Sequence, residues 1–186
     1  MSEQMLLDTL RRSGGLEAVS RDLGITPATA IAGAEAMLPA ILGGFRKQAE
    51  AAGGGETGLS GMIEMLGRHG GGALAANVMG PEPTDITRGN DVLGEIFGSA
   101  DVSRTLAADV AARTGIDPAT LKQMLPRLAM LVGGYLSARA MGSGQLGGVS
   151  EILASGSGGG LGRLLDLDGD GNPLDDIIDM AGKLFK

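Results

Sequence analysis

Apolar positions recur at helical spacing along two stretches of the chain. Leu121, Leu125, Leu128, Val132 and Tyr135 fall on one stripe of a helix, and Ile31, Leu38, Ile41, Leu42 and Phe45 on another. The same signal precedes each stripe: GITPAT from Gly24 to Thr29, and GIDPAT from Gly115 to Thr120. The glycine suits the left-handed end of one helix, Thr26 or Asp117 can cap the next, and Pro27 or Pro118 suits its first position. Each stretch therefore predicts a helix, a tight corner and a second, longer helix. Both long helices contain the tripeptide MLP (Met37 to Pro39, Met124 to Pro126). A proline has no amide hydrogen to donate, so a kink or a fresh helix start is expected at each. No run of four or more residues alternates apolar and polar as a strand would, so the fold class read is all-α.

The two stretches read as copies of one unit. LGGF (Leu42 to Phe45) is echoed by VGGY (Val132 to Tyr135), at an offset of 90 residues against 91 for the corner motif. The chain then divides into a first helical copy (1–50), a Gly-rich connector (51–90), a second copy (91–140), a Gly-rich linker (141–160) and an Asp-rich loop with a terminal helix (161–186). Within the connector, Leu59 to Leu66 and Ala73 to Met79 read as short helices and PEPTD as a loop. The linker reads as flexible, and so does the connector around its helices.

Composition sharpens this picture. The only aromatic residues are Phe45, Phe97, Phe185 and Tyr135, so the core must be built from Leu, Ile, Val, Ala and the 10 Met. The 34 Gly should gather at caps and linkers. The absence of cysteine excludes disulfides, thiolate metal sites and a cysteine nucleophile. With no basic-then-apolar start, it fits a cytoplasmic protein. No 18 uninterrupted apolar residues occur, so no membrane span is expected. The formal charge is −7, yet six Asp and no Lys or Arg lie between Asp166 and Asp179. The remainder holds 15 basic and 16 acidic residues, a near-neutral balance that argues against a nucleic-acid or anionic-membrane partner.

The Asp-rich run is the sharpest chemical motif. Asp166, Asp168 and Asp170 take positions 1, 3 and 5 of an EF-hand-like loop, Gly171 the turn position, and Asn172 the backbone-carbonyl position. Ile177 stands where a bidentate Glu should close the site, so Asp176 would be the closing ligand of a shortened loop. Hard oxygen donors at this spacing point to Ca²⁺. The alternative is an acidic turn capping the last helix. The single histidine, His69, lies among glycines and reads as a solvent-exposed side chain, and no catalytic or cofactor-binding set is visible. VSRDLGITPAT is similar to the turn of bacterial helix-turn-helix proteins. Its following helix, Ala28 to Glu35, offers no side chain for bidentate base contacts, whereas the second copy offers Lys122, Gln123 and Arg127.

Taken together, MLPAILGGF, GNDVLGEIFGS, MLPRLAMLVGGYL and LLDLDGDGNPLDDIIDMAGK resemble the YidB-like bacterial proteins, domain-of-unknown-function family 937, from about Leu6 to the end of the chain. The resemblance implies an intracellular helical protein with a homeodomain-like or helix-turn-helix-like fold. It implies no established biochemical role and no catalytic residues. The leading expectation is a non-enzymatic interaction or assembly protein, a homo-oligomer built through Ala-, Gly- and Met-rich helices. A calcium-responsive module and a nucleic-acid-binding protein are the alternatives.

Overall fold

A computed structural model describes residues 3–143, and every regular element among them is an α-helix. The first residues of the Gly-rich linker, up to Ser143, continue α8; the rest of the linker, the Asp-rich loop and the terminal helix read from the sequence lie outside the described residues. So do the candidate calcium ligands Asp166, Asp168, Asp170, Asn172 and Asp176. The elements are α1 (Glu3–Arg12), α2 (Gly15–Leu23), α3 (Pro27–Ala51), α4 (Gly55–Arg68), α5 (Ala73–Met79), α6 (Ile86–Phe97), α7 (Ala100–Thr114) and α8 (Pro118–Ser143).

Both corner motifs fold as their chemistry requires. Gly24 takes the left-handed conformation (φ +65°), and the amides of Gly24 and Ile25 return to the Arg21 and Ser20 carbonyls. Those two bonds satisfy two of the last four carbonyls of α2. The Thr26 hydroxyl accepts from the Thr29 amide at 3.1 Å and opens α3, with Pro27 as its first residue. At the second corner Gly115 is again left-handed (φ +71°), and the Asp117 carboxylate accepts from the Thr120 amide at 2.9 Å.

No fresh helix starts at either internal proline. α3 runs through Pro39 and α8 through Pro126 as single helices. Tertiary packing accounts for this: both prolines are buried, and α6 lies directly against the backbone at Pro126. A Cβ on Gly89 of α6 would stand 2.5 Å from the Pro126 carbonyl oxygen, so only glycine permits that approach.

α3 and α8 form the centre of the molecule. Gly33 faces Met124, and Phe45 faces Gly133, so the two helices advance in the same sense past each other. Phe45 and five methionines (Met37, Met62, Met65, Met124, Met130) are buried with Leu, Ile, Val and Ala in one continuous core. That core draws on both sequence copies. α3 is long and apolar enough to cross a membrane, and its most apolar window is 72% buried against the other helices. Its hydropathy is thus used inside the protein.

The connector is not a loose tether. Leu59, Met62 and Leu66 of α4 and Leu74 and Val78 of α5 are core residues. α4 meets α3 so closely that a Cβ on Gly58 would lie 1.9 Å from the Ala49 carbonyl oxygen. α5 meets α8 at Gly134, where a Cβ would lie 2.5 Å from the Ala75 amide nitrogen. The PEPTD loop is held by the Asn77 side chain, which accepts from the Asp85 amide at 2.9 Å, while Asp85 itself caps α6. Gly-rich helices here are a means of bringing backbones together rather than a sign of mobility.

Candidate functional site

Among the described residues, a concave surface lies where α6, the start of α7 and the first turns of α8 converge. Two adjoining open cavities, of about 380 and 410 Å³, share Asn90 and Lys122. Leu93, Leu125 and Pro126 supply apolar walls, and Ile86, 44% exposed, stands at one end. Gly94 and Gly98 keep the α6 side open, since a Cβ on either would meet nothing within 4 Å. The charged residues lining the two cavities are Arg104, Lys122 and Arg127, with no Asp or Glu among the lining residues. This contrasts with the described chain as a whole, in which residues 3–143 hold 12 Lys and Arg against 15 Asp and Glu.

The three cations are not equivalent. Arg127 is committed: its Nε donates to Asp22 at 3.2 Å, and its Nη1 donates to the Gln123 carbonyl at 2.8 Å. The Thr84 hydroxyl donates to the same Asp22 oxygen. The Arg127 and Asp22 side chains are only 12% and 17% exposed. Burial pushes the Asp22 carboxyl up, but the Thr84 hydroxyl and the Arg127 guanidinium outweigh it and hold the group below its ordinary value. This cluster joins α2, the loop before α6, and α8. Arg104 pairs along its own helix with exposed Asp101. Lys122 and Gln123 are exposed on the first turns of α8. Of the side chains read as DNA-contact candidates in the second copy, Arg127 is therefore a structural tie, and Lys122 and Gln123 are the two presented to solvent.

Other sequence-singled residues fall elsewhere. His69 caps the end of α4, is 21% exposed, and places Nε2 3.7 Å from a Glu95 carboxylate oxygen, so it is tucked against α6 rather than standing in solvent. The described residues contain no group of three or more His, Asp or Glu side chains able to hold a metal ion. The Ala-, Gly- and Met-rich stripes of α3 and α8 are covered within the chain, by α4, α5, α6 and each other. The groove was missed in the sequence because its parts are far apart, with Ile86 to Gly98 on one wall and Ala119 to Arg127 on the other. The available signal was the exposed glycine pair Gly94 and Gly98 on an otherwise amphipathic helix.

No match was found among curated proteins or among solved structures. A family match does extend over residues 5–139, which takes in every helix of the core and both walls of the groove. The chain belongs to the bacterial protein family of unknown function DUF937.

Proposed function

We propose that this is an interaction protein that self-associates, and that the groove bounded by α6, α7 and α8 is its contact surface. The observation that carries the reading is the groove's lining: apolar walls, three cations and no carboxylate, on a body with more acidic than basic residues. Such a surface favours a segment combining apolar side chains with carboxylates. The repeat supports the same reading. Two helix–glycine–cap–proline corners lead into two long helices, as duplication of one helix-turn-helix-like, homeodomain-like unit would give. Copy two alone would then have diverged into a binding face.

Light scattering after size exclusion, across protein concentration, tests this. The mass is expected to grow with concentration and to fall back toward one chain in Lys122→Glu. A mass fixed at one chain at every concentration counts against the reading.

Nucleic-acid binding is a second reading, favoured by exposed Lys122 and Gln123 at the start of the helix that follows the second corner. It calls for retention of the protein on duplex DNA at physiological salt, and for loss of that retention in Lys122→Glu. The calcium reading of Asp166, Asp168, Asp170, Asn172 and Asp176 stands on the sequence spacing alone. It is tested by thermal unfolding with millimolar Ca²⁺, where an unchanged midpoint would end it.

A further inference from the structure

We infer that in the isolated chain the groove is occupied by the chain's own acidic segment, from Leu164 to Asp179. The inference rests on the groove reading above and names the occupant.

Charge complementarity is the first argument. The groove presents exposed Lys122, with Arg104 at its rim and Arg127 tied to Asp22, and no acid among its lining residues, while the segment carries six Asp and no Lys or Arg. Lys122 has no counter-ion within the described body, and Asp101 offsets Arg104 only at the exposed rim. Apolar complementarity is the second. Leu174, Ile177 and Ile178 are interleaved with Asp175, Asp176 and Asp179 at the spacing of a helix with one apolar face. Exposed Ile86, Ala100 and Ala119 are the apolar surface that this face would meet, above a floor of buried Leu93, Leu125 and Pro126.

Reach is the third argument. The groove lies at the start of α8, and the chain leaves its far end at Ser143. At ~1.5 Å per residue the helix puts Lys122 about 31 Å from that end. The 20 residues from 144 to 163 can extend over about 66 Å at ~3.3 Å each, about twice the span required. A tethered segment meets its own groove at an effective concentration near millimolar. At micromolar protein, the segment of the same chain therefore outcompetes that of a second copy. At high concentration the two can exchange, which links monomer and assembly through one contact.

The absence of cysteine makes the test direct. Ala119→Cys, on the groove wall, and Asn172→Cys, in the segment, are introduced together into the full chain and labelled as a donor–acceptor pair. Energy transfer at nanomolar protein is expected to be high and independent of concentration. It should drop several-fold in Arg104→Glu/Lys122→Glu, and return when Asp175→Lys/Asp176→Lys is added. Gly94→Leu is a second probe. Its side chain enters the open space of the groove and replaces a mid-helix glycine, so transfer should fall while helicity by circular dichroism holds. Low transfer in the parent, or high transfer indifferent to all these changes, would overturn the inference. Transfer that appears only as concentration rises would assign the segment to a neighbouring copy; it would overturn docking within one chain and leave the groove reading intact.

Discussion

The Arg127 guanidinium sits between a carboxylate 105 positions away in sequence and a carbonyl of its own helix. Removing it would leave Asp22 nearly enclosed with only the Thr84 hydroxyl and amide as partners. Loss of one member of an enclosed pair costs more than the pair contributes, because the remaining charge stays desolvated. Arg127→Ala is expected to lower stability by about 2–4 kcal/mol in urea unfolding at pH 7. The pH dependence follows from Asp22. Its folded pKa lies below the unfolded value of 3.8, so its contribution is complete above that value and fades as pH falls through the folded one. The difference between Arg127→Ala and the parent should therefore shrink below about pH 4. Glu3 behaves oppositely. Burial, and then the nearby charge of Glu35, push its pKa from 4.5 up to about 7. The folded state holds that proton more tightly, so stability declines as pH rises between those two values. Glu3→Gln should remove the decline, read as urea midpoints that match more closely at pH 5 and pH 8 than those of the parent.

Helices carry the legible part of this protein. The two corner motifs, the apolar stripes and the two connector helices could all be read from spacing and capping residues, because those are local chemistry. Leu121, Leu125, Leu128 and Val132 are buried in the positions that the periodicity assigns, and Tyr135 is partly buried beside them. The continuity of α3 and α8 through Pro39 and Pro126 could not be read, since burial by other helices decides it. Nor could the purpose of individual glycines. Gly58 and Gly94 look alike in sequence, both lying inside short amphipathic helices. A Cβ on Gly58 would collide with the Ala49 carbonyl, whereas one on Gly94 enters open space. Gly58→Ala should destabilise by at least about 2 kcal/mol through forced separation of α3 and α4. Gly94→Ala should stabilise by about 0.5–1 kcal/mol, through the lower entropy cost of holding alanine in a helix. Thermal midpoints moving in opposite directions are the check. A Gly58→Ala midpoint equal to the parent's would mean that the contact is loose.

At the scale of the molecule, the sequence divides where the structure does not. Two similar stretches of about 50 residues, offset by about 90, invite a description as two units, and each alone is near the size at which a core becomes marginal. The structure resolves this by sharing. Gly33 of the first copy packs on Met124 of the second, Phe45 packs on Gly133, and Asp22 pairs with Arg127. α4 and α5, which belong to neither copy, complete the same core. The groove is a product of that arrangement, because α6 must lie along α8 at Gly89 before its walls exist. Folding of residues 3–143 should accordingly be one cooperative event. The single tyrosine offers a local probe, since Tyr135 lies in the second copy and the chain has no tryptophan. Tyr135 fluorescence and helical circular dichroism are expected to give coincident urea transitions with one midpoint. If the tyrosine signal moved separately from the helical one, the second copy would be unfolding on its own. The contacts through Met124, Gly133 and Arg127 would then be too weak to bind the halves into one cooperative unit.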